Sequence, residues 1–337
     1  MSARTLSRPG AMEIPLIDFS EAFSSRLADR ERVAESLYRA GTRTGFFYMA
    51  GHGVPTALVE AQLDYSRRFF AMSKAQKQAL HLRHSACRRG YENPGDQTLD
   101  AAAAPDLKES YYCGIDFPPD HPFVIAGYDS YGVSQWPDDL PGFREQMTKY
   151  LAAHRALCEK IMQITALALS LNEHYFDGTF TDPMITLRLL RYPPHPQQAS
   201  RDAFGAGAHT DWGAVTTLAQ DEVGGLQVLG AEGKWVDAVP IAGTFVVNFG
   251  DMMPRWTNGR IKSNLHRVIN ANASRQARYS VPFFFSPRYT ATIAPVPTCV
   301  APGERERYAT CTAGEHITKM VDVTYGRGPA RTRSNAG

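Results

Sequence analysis

Hydrophobic and polar positions alternate in two different ways along this chain, and the change falls near Pro183. Before it, apolar residues recur at helical spacing. Residues 27–40 and 56–72 read as helices, and between 142 and 175 the series Leu151, Leu157, Ile161, Ile164, Leu167 and Leu171 predicts a long helix packed on a larger body. Two short strands interrupt them. Residues 14–19 contain Pro15 and so read as an edge strand, with Asp18 or Ser20 free to cap the next helix. Residues 45–49 form an aromatic strand stopped by Gly51-His52-Gly53-Val54-Pro55. After Pro183 come short strand-like runs at 184–192, 214–219, 225–229, 234–238, 244–249, 266–270, 279–286 and 290–294, bounded by Gly, Pro or Asn. Many short strands in succession predict a sandwich or jelly-roll barrel.

The remaining segments are less regular. Residues 99–105, with four consecutive alanines, read as a short helix or a loop, and 108–141 as an irregular wrap over the body. Residues 1–11 and 327–337 are small, polar and rich in Gly, Pro and Arg, which predicts a disordered start and a flexible tail. With no repeat and no sharp linker, the expectation is α+β: a mixed, mostly helical region over 12–182 packing on a β-barrel core over 183–326.

Composition narrows the function classes. At 337 residues and 43% hydrophobic, the chain has ample material for a core, and its 36 Lys and Arg are dispersed against 34 Asp and Glu, leaving no basic footprint for nucleic acid. A small-molecule partner is the default. The five cysteines are scattered and form no C-x-x-C pair, so neither a disulfide framework nor a thiolate zinc site is signalled, and a reducing cytosol fits. No run of about 18 apolar residues and no apolar leader is present, so a soluble cytoplasmic protein with no membrane partner is expected.

The sharpest chemical feature is His209-Thr210-Asp211. On a strand, residues i and i+2 share a face, so an imidazole and a carboxylate would converge inside the barrel; the bland alternative is a solvated turn. A second histidine, His266, lies in the strand-like Leu265–Ile269 stretch and would stand several strands further around. Two imidazoles and a carboxylate bind a first-row divalent ion while leaving three positions open, as an iron(II) centre activating dioxygen requires; a closed zinc site would want a fourth ligand. Arg278 and Ser280, again two apart, make an inward fork for a carboxylate if Arg278 is not simply a surface residue.

His209-Thr210-Asp211, His266 and Arg278-Tyr279-Ser280, together with Gly45-Phe46-Phe47, Gly224-Gly225-Leu226-Gln227-Val228 and Gly250-Asp251-Met252, resemble the isopenicillin N synthase-like group of iron(II)/2-oxoglutarate-dependent dioxygenases. The resemblance runs from about Ile14 to Tyr325. It implies a double-stranded β-helix (jelly-roll) core flanked by α-helices, with Fe(II) held by His209, Asp211 and His266. It implies 2-oxoglutarate as cosubstrate, its distal carboxylate on Arg278 and Ser280 with Tyr192 beside them, and O2 as oxidant. The outcome would be hydroxylation, desaturation or cyclisation of a small metabolite, with succinate and CO2 released, in a specialised biosynthetic pathway. Many relatives carry asparagine where this chain has Leu190.

If Tyr192 points inward, parity turns Leu190, Arg188 and Thr186 the same way and Arg191 outward. Arg188 then pairs either with an anionic group of the substrate or cosubstrate, or with a carboxylate of the helical layer. Trp212 and Phe284 are candidate pocket walls or ordinary core, and one of Tyr111 and Tyr112 could face the cavity. Two other readings stay open at this point: an oxidase of the isopenicillin N synthase type that uses no 2-oxoglutarate, and a non-catalytic ligand-binding jelly roll. The oligomeric state is not legible.

Overall fold

The structure is a computed structural model describing residues 14–97, 106–194, 204–230, 232–269 and 276–324. The tails read at 1–11 and 327–337 and the alanine run at 99–105 lie outside the described residues. In chain order the barrel strands are β1 (Leu16–Asp18), β2 (Phe46–Ala50), β3 (Gly90–Glu92), β4 (Glu109–Cys113), β5 (Met184–Tyr192), β6 (Phe204–His209), β7 (Val215–Gln220), β8 (Leu226–Leu229), β9 (Trp235–Asp237), β10 (Phe245–Phe249), β11 (His266–Ile269) and β12 (Arg278–Ser286). The larger sheet runs β1-β2-β10-β7-β12-β5-β4-β3 and the smaller β6-β11-β8-β9, the two layers of a jelly roll.

The period of two decides what each face of the large sheet does. On β5, Ile185, Leu187 and Leu189 face the helices, while Leu190 and Tyr192 face the barrel interior. On β12, Val281, Phe283 and Phe285 go outward and Arg278, Ser280, Pro282 and Phe284 inward. On β10, Val247 and Phe249 join the helical side, leaving Val246 and Asn248 inside. The outer face is covered by α1 (Leu27–Arg43), α2 (Thr56–Ala71) and α3 (Phe143–Ala168), which bring Leu37, Phe69, Met147 and Ile161 against it. Each large side chain withdrawn from water in this layer is worth about 1.5–3 kcal/mol, so the scaffold behind the site is rigid. A last helix, α4 (Ala313–Thr324), follows the barrel.

Three expectations need correction. The stretch 108–141 is not wholly irregular: β4 lies within it, paired to β5 from Glu109↔Arg191 to Cys113↔Leu187. The long helix stops at Ala168, because Ser170 turns left-handed with φ +56°. The run at 290–294 yields only Thr292–Ile293, paired with Cys311–Thr312 apart from the barrel.

Candidate active site

The two histidines are closer neighbours than their separation in sequence suggests. His266 at the start of β11 is registered opposite His209 at the end of β6, with ring centroids 4.2 Å apart. They stand on adjacent strands, not several strands apart, because the smaller sheet places β11 directly beside β6. Strand parity also does not carry Asp211: β6 ends at His209, and Asp211 lies beyond the strand, just before the bend at residues 212–214. Ligand atoms of His209, Asp211 and His266 nonetheless lie within 4.8 Å of one another, with His266 Nε2 3.7 Å from Asp211 Oδ1.

Hydrogen bonds fix which atoms face that point. His209 Nδ1 is 2.7 Å from the Gly207 carbonyl and His266 Nδ1 3.3 Å from the Asn264 carbonyl. A carbonyl only accepts, so each Nδ1 carries a proton, and in the neutral ring it is Nε2 that presents the lone pair. Burial, together with the neighbouring His266, pushes the His209 imidazole well below its ordinary pKa, keeping it neutral. Burial alone would raise the Asp211 carboxyl, but His266, His209 and the Asn248 amide hold it below the usual carboxylate range. Asn248 Nδ2 donates to Asp211 Oδ2 at 2.7 Å, leaving Oδ1 toward the histidines. Two imidazoles and one oriented carboxylate are the donor set of a divalent first-row ion.

The Gly250-Asp251-Met252 segment holds the loop that carries Asp211. Gly250, Asp251 and Met252 donate backbone N–H groups to Ala214, Asp211 and Gly213, and Thr210 Oγ1 donates to Asp251 Oδ2 at 3.1 Å. The approach is so close that a Cβ on Gly250 would sit 2.4 Å from the Gly213 carbonyl oxygen. Gly225, at φ +96° and likewise against a carbonyl, that of Ile269, is required by its backbone conformation.

From the triad an inner chamber runs between the sheets to Arg278, lined by Lys108, Leu190, Tyr192, Asn248 and Ser280 among others. Arg278 is 4% exposed and is therefore not a surface residue. It donates to Ser280 Oγ and Gln220 Oε1, both at 3.2 Å, stands 4.9 Å from the Tyr192 ring, and its Nε has no hydrogen-bond partner among the described residues. Tyr192 lies directly opposite it in register. A buried guanidinium with only neutral acceptors is costly unless an anion completes it, so the inner end of this chamber fits a carboxylate.

An outer chamber opens from the same triad, and Arg188, Trp212, Phe284 and Tyr112 all line it. Arg188 faces both chambers, but its Nη2 donates to Glu92, Gln97 and Ser110 at 2.8, 2.9 and 2.7 Å, so a carboxylate already answers its charge. Tyr111 is buried in the helical layer with its hydroxyl on the Gln135 carbonyl, and the cavity-facing tyrosine is Tyr112. Asn248 and Lys108 escaped the sequence reading. For Asn248 the signal was present, as the single amide in the apolar strand Phe245–Phe249.

Comparison with known proteins agrees with this geometry. Residues 14–139 match the N-terminal family described as non-haem dioxygenase in morphine synthesis, and residues 181–287 match the 2OG-Fe(II) oxygenase superfamily. A 2-oxoglutarate-Fe(II) type oxidoreductase of Emericella nidulans is 37% identical over 94% of this chain and 91% of its own. A 2-oxoglutarate-dependent dioxygenase of Monascus ruber is 35% identical over 95% and 98%. The fold is similar to that of a full-length Neurospora crassa protein solved with alpha-KG and thymine, with TM-score 0.83, 30% identity and coverage of 94% and 99%.

Proposed function

The chain belongs to the 2-oxoglutarate/Fe(II) oxygenase superfamily, and on that premise we propose that His209, Asp211 and His266 hold its iron while Arg278, Ser280 and Tyr192 hold the distal carboxylate of 2-oxoglutarate. The enzyme is an Fe(II)/2-oxoglutarate-dependent oxygenase using O2 on a small molecule, and the oxidase reading without 2-oxoglutarate is not favoured. One observation carries the residue assignment: three convergent donors, Asp211 and His266 buried and His209 half-buried, open onto a chamber that ends at a guanidinium facing no carboxylate among the described residues.

When bound, iron with 2-oxoglutarate and O2 supplies the oxidising power that removes hydrogen from a substrate C–H. The protein's part is to place and to exclude. The Gly207 and Asn264 carbonyls hold each imidazole in its ligand tautomer, and Asn248 orients the carboxylate. Arg278 fixes the far end of the cosubstrate so that its reactive end lies toward the triad. Phe46, with its ring centroid 5.2 Å from that of His266, and the Leu226 and Val268 side chains give the inner chamber an apolar wall.

We assign the outer chamber to the substrate, with Trp212 and Phe284 as its aromatic walls and Tyr112 at its polar side. Arg88, Arg89 and Arg188 stand in its wall with Asp129 and Asp211, and Glu92 answers Arg188, so its fixed charges balance and the aromatic surface is left to select the substrate. We read the setting as specialised metabolite biosynthesis in the cytosol. All five cysteines are free, and no helix among the described residues is long and apolar enough to cross a membrane. A screen of small molecules by succinate release tests the function. A substrate that yields succinate and oxidised product one for one with wild type, and neither with Asp211→Ala, is expected; equal turnover by Asp211→Ala would overturn the assignment.

A further inference from the structure

The inner chamber contains a second buried cation that neither the metal site nor the Arg278 fork uses. Lys108, 3% exposed, lines this chamber beside Tyr192 and His209 and does not line the outer one. Its ammonium donates to Asp106, whose other oxygen accepts the Gly207 N–H at 2.9 Å, so the pair is tied to β6 two residues before His209. An ammonium has three N–H donors. Among the described residues Asp106 is the one acceptor that Lys108 reaches, which leaves two of its donors without a protein acceptor beside the chamber.

A buried ion pair is expensive to maintain, and a buried donor without an acceptor more so. The Lys108–Asp106 pair is neutral as a unit, so it adds direction and little charge. Opposite charges on Arg278 and Asp211 cancel, as do those of Fe(II) and doubly ionised 2-oxoglutarate, so the loaded chamber is balanced without Lys108. Within the chamber Lys108 stands toward the triad end, close enough to act electrostatically on His209. We propose that Lys108 is a positioning residue for 2-oxoglutarate, donating its spare N–H groups to oxygen atoms of the cosubstrate at the triad end while Arg278 holds the other end. The outer chamber does not reach Lys108, so the acceptor belongs to the cosubstrate rather than to the substrate.

This inference rests on the metal and cosubstrate assignment above, and its test separates the two. Full-length protein is loaded with Fe(II) without oxygen and titrated with 2-oxoglutarate, following the weak visible band of the chelate, for wild type, Lys108→Met and the double variant Asp106→Asn/Lys108→Met. The double variant removes the ion pair as a unit, so it carries the test if Lys108→Met, with Asp106 left alone, does not fold. Expected are unchanged Fe(II) stoichiometry, unchanged KM for the substrate, kcat recovered at saturating cosubstrate, and a Kd for 2-oxoglutarate raised about tenfold or more. A titration superimposable on wild type in a folded variant overturns the role of Lys108 alone. A raised substrate KM with an unchanged 2-oxoglutarate Kd overturns it too, reassigning Lys108 to the substrate. A wild-type protein that binds Fe(II) and gives no band removes the underlying assignment, and this inference with it.

Discussion

Replacing Arg278 by Met should separate stability from function. In the protein alone, the guanidinium has two hydrogen bonds to neutral oxygens and lies 4.9 Å from the Tyr192 ring. Those contacts contribute about 1 kcal/mol for each hydrogen bond and up to about 2 kcal/mol for the ring. Against them stands a desolvation penalty of several kcal/mol for a cation at 4% exposure with no acidic partner among the described residues. The terms nearly cancel, so Arg278→Met without ligand should melt within about 3 °C of wild type. With 2-oxoglutarate the account reverses. Two charge-assisted bonds at about 1.5–3 kcal/mol each predict a Kd weakened by roughly 10²–10⁴. At a cosubstrate concentration about 100 times the wild-type Kd, ligand stabilises wild type by about 2.7 kcal/mol and a variant weakened 100-fold by about 0.4 kcal/mol. Anaerobic thermal melts with Fe(II), with and without 2-oxoglutarate, read both numbers. A variant that melts more than about 10 °C lower unliganded, or that keeps the full ligand-induced shift, would refute the argument that Arg278 is held for an anion rather than for the fold.

Other perturbations probe separate parts of the site. Asn248→Ala removes the donor at 2.7 Å from Asp211 Oδ2 and should weaken divalent-metal affinity about 10–100-fold, as read by competition with a chelator. Gly250→Ala places a Cβ 2.4 Å from the Gly213 carbonyl oxygen and 2.8 Å from that of Asp211; far-UV circular dichroism should stay near wild type while metal affinity falls. Glu109→Gln leaves Lys77 and Arg191 without their carboxylate and should cost about 3 kcal/mol in urea unfolding at neutral pH. Burial alone would raise the Glu109 carboxyl, but Lys77, Tyr91 and Arg191 hold it below its ordinary value. Its contribution is therefore present above about pH 4.5 and lost as pH falls through the lower folded value, so wild type and Glu109→Gln should converge on acidification.

How far the sequence reaches can be read from individual residues. Parity on β5 and β12 placed Tyr192, Arg188, Arg278, Ser280 and Phe284 inward, because long strands in a two-layer sheet leave each side chain only two directions. The triad was legible as residue types, but not the route by which it assembles. Strand β6 reads Phe-Gly-Ala-Gly-Ala-His, with no β-branched residue and two glycines, so no propensity announces it, and its pairing with β11 is a consequence of jelly-roll topology. Strands β3 and β4 escaped for a related reason: they are short, and their pairing with one another and with β5 is long-range. The partner of Arg188 could not be read at all, since Glu92 lies 96 residues away and meets it only through that same sheet. Lys108 was likewise invisible, its meaning resting on Asp106, β6 and the chamber together.

A crystal structure of the protein grown without oxygen with Fe(II) and 2-oxoglutarate addresses the central claim most directly. The account predicts one iron bonded to Nε2 of His209 and His266 and to Asp211 Oδ1, with a 2-oxoglutarate carboxylate on Arg278 and Ser280. Iron bound elsewhere, a fourth protein ligand on the metal, or a cosubstrate that leaves Arg278 untouched would contradict it.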